Sequence, residues 1–177
     1  SHGIVYHREE MTRDEGPWYY EMHELGMNYR LTDIQAALGI SQLKKLDFFL
    51  ERRRKWAKFY NQEFSKLEEV VTPYQLEGTN SGWHLYMLRL RLDRLTVSRR
   101  QVFEALRAEN IGVHVHYIPV YWHPYYQRLG YQRGLCPEAE KWYEEALTLP
   151  LFAKMDESDV ASVVEAVKKV LKAYRMK

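Results

Sequence analysis

The chain has 177 residues, 46% hydrophobic and 28% charged, with a formal net charge of +2. That length holds one good core, or one domain with an extension, and leaves two full domains cramped. So small a charge gives no electrostatic basis for nucleic-acid binding, and no apolar run approaches the roughly 20 residues of a membrane-spanning helix.

Residues 1–32 carry Gly3 and Gly16-Pro17 among mixed charges without periodicity, and read as an irregular connection. Thr32 followed three residues later by Gln35 has the spacing of a capping box, so a helix is predicted from Asp33. Asn28, Tyr29 and Arg30 therefore lie on the approach to a helix N-terminus, where unpaired N–H groups and the positive end of the helix dipole favour an anion. Ile34, Leu38, Leu43, Leu46 and Leu50 mark one or two long helices, and residues 33–70 read as a helical arm. Within it the basic run ERRRKWAK, from Glu51 to Lys58, is a solvated helix face. The turn-rich VTPYQLEGTNSG, residues 71–82, ends the helical run.

Residues 71–177 read as a small α+β domain. From Trp83 to Leu92 the chain alternates, with His84, Tyr86, Leu88 and Leu90 on one face, which predicts a half-buried strand. Ser98 and Gln101 repeat the capping-box spacing ahead of Val102, Phe103 and Leu106, and Asn110 and Gly112 end that helix. VHVHYIPV, residues 113–120, predicts a second strand stopped by Pro119, and the aromatic loop YWHPYYQRLGY follows. Cys136 is alone, which excludes a disulfide framework within the chain and suits a reducing cytoplasm. Pro137 opens a short helix through Trp142, LTLP gives a third strand, and a last helix runs from about Asp156 with Val160, Val163, Val164, Val167 and Leu171 on one face.

His114 and His116 lie two apart on the second predicted strand, hence on one face, with His123 seven residues beyond. Zinc needs three or four ligands in fixed geometry, and no acid or thiol is spaced to complete such a set. One imidazole packed in the sheet and another facing a cleft is the reading favoured for the pair. No glycine-rich phosphate loop, nucleophile elbow or carboxylate pair is present. The residues alone thus mark two clusters, Asn28 with Arg30 and the stretch from His114 to Tyr126.

Five ordered stretches, HGIV, LGMNYRLTDIQAALGISQLKKLD, WHLY, VHVHYIPVYWHPYY and LTLPLF, together resemble the C-terminal half of the DegT/DnrJ/EryC1/StrS sugar aminotransferases. These are pyridoxal 5'-phosphate (PLP) enzymes that transfer an amino group to a nucleotide-linked keto sugar. The resemblance covers essentially the whole chain. WYYEMHELGMNYRLTDIQAALG most resembles the members acting at C4 of UDP-4-keto-6-deoxy-N-acetylhexosamine, on routes to pseudaminic acid.

The resemblance implies an aspartate-aminotransferase-like fold of type I, of which this chain is the small C-terminal α+β domain with a long helical arm. The large PLP domain, and the lysine that forms the Schiff base, are then expected upstream of Ser1, and no lysine of this chain is assigned that role. It further implies a cytoplasmic homodimer with shared active sites and glutamate as amino donor. Asn28 is expected to take the PLP phosphate of the neighbouring subunit, an amide giving a directed hydrogen bond without a second charge. Arg30, His116, Tyr117, Tyr121 and His123 are expected to meet the nucleotide sugar. Many members have His where this chain has Tyr121, and His123 stands two residues further on. The alternatives are an ion pair of Arg30 with Asp33 or another acid of the helix start, and a turn in which Asn28 bonds its own backbone. At the level of activity they are a PLP-dependent sugar dehydratase of the same family, with His replacing the lysine, and a non-catalytic sugar-nucleotide-binding or dimerisation module.

Overall fold

The computed structural model describes residues 2–13 and 15–176. It divides into two compact units, the first ending at Lys45 and the second beginning at Leu46. Each is described by itself.

The first unit opens with a two-stranded antiparallel ladder, β1 (Ile4–Val5) against β2 (Glu21–Met22), with Ile4 opposite Met22 and Val5 opposite Glu21. The ladder continues as His23 N–H donating to the Gly3 carbonyl at 3.0 Å and His2 N–H donating to the Met27 carbonyl at 3.2 Å. Two glycines permit this approach. A Cβ on Gly3, at φ +70°, would lie 1.8 Å from the Glu24 carbonyl oxygen, and one on Gly26 would lie 2.2 Å from the Gly3 nitrogen. Glu21 pins the intervening loop by accepting from Thr12 N–H and Oγ1, both at 2.8 Å, from Arg13 N–H at 2.9 Å and from His23 Nε2 at 2.6 Å. Helix α1 (Asp33–Leu43) begins at the expected capping box: Thr32 Oγ1 accepts from Gln35 N–H, and Gln35 Oε1 accepts from Thr32 N–H at 3.0 Å. No residue of α1 is buried.

The stretch 33–70, expected as one arm, is divided between the two units. Lys44 and Lys45 close α1, and α2 (Leu46–Phe64) packs into the second unit. The physical reason is aromatic: Trp56, Tyr60 and Phe64 recur at helical spacing and are buried. Trp56 Nε1 donates to the Met155 carbonyl at 3.1 Å and the Tyr60 hydroxyl to the Pro150 carbonyl at 2.9 Å.

The sheet of the second unit has the order β3-β4-β5, antiparallel throughout. β3 (Val70–Val71) is a short edge, β4 (Tyr86–Leu90) is central, and β5 (Ala146–Leu149) pairs Thr148 with Met87 and Leu147 with Leu88. β4 shows the expected alternation, with Tyr86, Leu88 and Leu90 buried and Met87 and Arg89 half-buried. Helix α3 (Arg99–Ala108) starts at the expected Ser98–Gln101 capping box, and α4 (Pro124–Arg128) is a single short turn. Proline at the first position opens α5 (Pro137–Glu145), which continues past Trp142, and Asp156 caps α6 (Glu157–Tyr174).

Helix α6 contributes Val160, Val163, Val164, Val167, Val170 and Leu171 to the core, between α2 and α3. On the Tyr86 face, the Tyr60 and Tyr86 rings meet at 4.9 Å. On the other face α5 is held by Arg89, which bonds Glu145 and lies 5.1 Å over the Trp142 ring. Residues 113–120 do not form the expected strand. One bridge survives, His114 with Thr148, after which Pro119, which has no N–H for a ladder, leads into a 3-10 turn at Val120–Trp122. No helix among the described residues is long and apolar enough to cross a membrane.

Candidate functional site

In the first unit, the backbone approach of Gly3 and Gly26 sets the path of the chain into Met27–Leu31. Asn28, Tyr29 and Arg30 are all exposed, Tyr29 by 88%. Among the described residues Asn28 makes no side-chain hydrogen bond and Arg30 forms no ion pair with Asp33, so neither side chain is consumed locally as the alternatives required. The helix end itself is a weaker attraction for an anion than the sequence suggested. Gln35 N–H is already taken by Thr32, and Asp33 places a carboxylate in the first turn. What remains for an anion is the amide of Asn28 and the guanidinium of Arg30, five rigid donors on a planar fork.

In the second unit, the pairing of His114 with Thr148 delivers the histidines to the rim of β5. The His114 N–H donates to the Thr148 carbonyl at 3.1 Å, and the Thr148 N–H donates to the His114 carbonyl at 2.8 Å. The His114 and His116 rings stack at 4.6 Å, and the Tyr117 ring stands edge-on to His116, also at 4.6 Å. His116 Nδ1 lies 2.7 Å from Thr148 Oγ1. Burial, then the neighbouring His114 and His84, hold the His116 pKa below its ordinary value, so this imidazole is neutral near pH 7. His84 itself sits in an exposed bend just before β4 rather than on the buried strand face with Tyr86 and Leu88. Phe103, Val115, Ile118 and Tyr143 line an apolar hollow beside His114.

Tyr121 is differently placed. Its hydroxyl donates to Glu140 Oε1 at 2.5 Å and accepts from Cys136 N–H at 3.2 Å. Trp122 Nε1 and Gly134 N–H donate to the same Glu140 oxygen, at 3.3 and 2.5 Å. The hydroxyl of Tyr121 therefore ties the loop to α5, and what it offers a ligand is its ring. His123 precedes α4 as an exposed N-cap without a side-chain cap bond, and Tyr117 is 72% exposed. Thus His116 and Tyr117 form one packed group, Tyr121 belongs to the Glu140 group, and Asn28 and Arg30 lie in the other unit. Glu140 and Thr148 were not marked by the sequence. Glu140 lies 19 residues from Tyr121 in a run of acidic residues, and Thr148 reads only as a strand residue. Among the described residues no group of three or more His, Cys, Asp or Glu gathers as a metal ion requires.

Residues 1–168 match the DegT/DnrJ/EryC1/StrS aminotransferase family. The chain is 37% identical over 175 residues to the UDP-4-amino-4,6-dideoxy-N-acetyl-beta-L-altrosamine transaminase of Campylobacter jejuni, covering 99% of this chain and 44% of that protein. Its fold superposes on Helicobacter pylori PseC, an aminotransferase involved in the biosynthesis of pseudoaminic acid, with a TM-score of 0.78 and 29% identity over 98% of this chain and 44% of that one. A Streptococcus pneumoniae protein solved in its PLP form gives a TM-score of 0.78 and 26% identity, over 97% of this chain and 41% of that one. The chain thus spans less than half the length of the relatives it matches.

Proposed function

The chain belongs to the DegT/DnrJ/EryC1/StrS aminotransferase family, and on that premise we propose that it is the C-terminal part of a PLP-dependent sugar aminotransferase. The full-length protein takes an amino group from glutamate and delivers it to C4 of a UDP-linked 4-keto-6-deoxy-N-acetylhexosamine, working as a cytoplasmic homodimer with shared active sites. The observation that carries this reading is the match to the altrosamine transaminase along almost the whole chain, 175 residues at 37% identity.

The residues present fit the cofactor in one respect that can be tested on the fold. A phosphate needs donors not already spent, and Asn28 is an exposed amide without a side-chain bond among the described residues. When bound, PLP supplies an electron sink for the reacting carbon. Asn28 donates to its phosphate across the subunit boundary, and Arg30 holds a phosphate or carboxylate of the substrate. His116 and Tyr117 meet the sugar nucleotide as one packed group, while Tyr121 contributes its ring and His123 an exposed imidazole at the start of α4. The lysine that carries the cofactor lies upstream of Ser1.

The test is turnover by the full-length protein with PLP, glutamate and the UDP-4-keto sugar. One 2-oxoglutarate should form for each amino sugar, because the amino group lost by glutamate replaces the keto oxygen. Conversion of the sugar to a deoxy keto sugar that carries no new amino group, with the nitrogen of glutamate released as ammonia, would identify a dehydratase, and binding without turnover a non-catalytic module.

A further inference from the structure

The His116 ring is fixed at one of its two nitrogens. Nδ1 lies 2.7 Å from Thr148 Oγ1, and Nε2 has no hydrogen-bond partner among the described residues. Thr148 is 5% exposed, and its main-chain N–H and carbonyl are both committed to His114. Its hydroxyl has no other partner among the described residues. A buried O–H without an acceptor is costly, so the placement of one proton decides the arrangement. Were the proton on Nδ1, the hydroxyl hydrogen of Thr148 would have nowhere to go. With Nδ1 bare, the hydroxyl donates to it and the ring proton sits on Nε2.

The neighbouring ring is not fixed in this way: His114 Nδ1 lies 2.8 Å from Val115 N–H, which can only donate, and 3.1 Å from the Val115 carbonyl, which can only accept. The two rings stack at 4.6 Å.

We propose that Thr148 is a positioning residue of the substrate cleft: its hydroxyl donates to His116 Nδ1, fixes the ring proton on Nε2, and makes His116 a neutral N–H donor to an oxygen of the sugar nucleotide. This rests on the reading above that His116 meets the sugar. Thr148→Val keeps the β-branched shape of a strand residue and removes the donor, and Thr148→Ser keeps the donor.

The full-length protein, labelled with 15N at histidine, reports the tautomer directly, the His116 signals being those lost in His116→Gln. Wild type and Thr148→Ser should show the Nε2–H form and Thr148→Val a mixture, with thermal unfolding confirming that all three are folded. In turnover, Thr148→Val should raise KM for the UDP-4-keto sugar roughly tenfold, the worth of about one hydrogen bond. Its kcat and its KM for glutamate should stay as they are, and Thr148→Ser should restore the sugar KM. Persistence of a pure Nε2–H form in Thr148→Val overturns the positioning role. So does a changed tautomer with unchanged sugar KM, provided His116→Gln raises that KM. If His116→Gln leaves the sugar KM untouched, the sugar contact itself is wrong, and the spectra alone then judge whether Thr148 sets the tautomer.

Discussion

The Tyr121 hydroxyl donates to Glu140 Oε1 at 2.5 Å, across 19 residues of chain, and the same oxygen collects Trp122 Nε1 and Gly134 N–H. The hydrogen bond from Tyr121, followed by those from Gly134 and Trp122 and the nearby Arg133 charge, holds the Glu140 carboxyl below its ordinary pKa. Arg133 also lies 4.0 Å over the Trp122 ring. One carboxylate therefore closes the aromatic loop onto α5.

Glu140→Ala is expected to free this loop while leaving the sheet and α6 in place, since Glu140 is not among the core residues. The amide protons of Gly134 and Cys136, whose N–H groups donate to Glu140 and Tyr121, should exchange with deuterium on the order of tenfold faster. Unchanged protection at both amides would show that the loop is held by its aromatic contacts instead.

Acid should weaken the fold in two windows, and the signs follow from the shifts. His116 has a depressed pKa in the folded chain, so its contribution is complete above its ordinary value of 6.5 and is lost as pH falls below that. The groups that share its surroundings are His114 and His84. Glu63 is held at about 2 chiefly by its hydrogen bond to Lys168, then Lys66, and Glu21 at about 2 chiefly by His23, then Thr12. Their contributions are complete above the usual 4.5 and are lost between 4.5 and 2. Denaturant melts at stepped pH should show the first decline in wild type and a flatter profile in His116→Gln. The decline below 4.5 should persist in both.

The second unit depends on one core, and two substitutions separate it from α1. Phe64 is fully buried against Tyr60 and Tyr86, so Phe64→Ala should cost about 3–5 kcal/mol. Leu38 is 61% exposed, and Leu38→Ala should change the stability of this chain by less than about 0.5 kcal/mol. Equal losses in urea unfolding would mean that α1 is packed as tightly as α2.

Local chemistry made part of this structure legible and non-local pairing hid the rest. Thr32–Gln35, Ser98–Gln101 and Pro137 start helices because a cap or a fixed φ acts within one turn, and each lies where its spacing indicated. The Tyr86–Leu90 alternation was readable because one face of β4 is fully buried. By contrast, VHVHYIPV has strand composition, yet only His114 finds a partner, and that partner is 34 residues away on β5. The break at Lys44–Lys45 was invisible because lysine is a good helix former. At the site, Asn28, Arg30 and His116 stood out as residue types, but the bonds from Thr148 and Glu140 belong to tertiary structure.

Gly26 should be intolerant of any side chain. A Cβ there would lie 2.2 Å from the Gly3 nitrogen and 2.6 Å from the His2 carbonyl carbon, both backbone atoms that cannot swing aside. Gly26→Ala is expected to separate residues 21–27 from 2–5 and to displace Asn28 with them. In the full-length protein this should appear as faster exchange at His23 N–H and as loss of PLP on dialysis. Gly39→Ala, where a Cβ meets nothing within 4 Å, serves as the neutral control.

Asn28→Ala in the full-length enzyme should weaken PLP retention roughly ten- to a hundredfold, the loss of one hydrogen bond to a charged phosphate. Folding should change little, because Asn28 is exposed and makes no side-chain hydrogen bond among the described residues. The retained cofactor can be read by absorbance after dialysis, independently of turnover. Mixing then decides which subunit the residue serves. An Asn28→Ala subunit keeps its cofactor lysine, and a subunit lacking that lysine keeps its Asn28. If Asn28 reaches across the dimer, each heterodimer assembles one complete site from the good lysine of the first chain and the good Asn28 of the second. Activity at subsaturating PLP should then exceed that of either parent. If heterodimers form and no activity returns, Asn28 serves its own subunit or does not touch the cofactor.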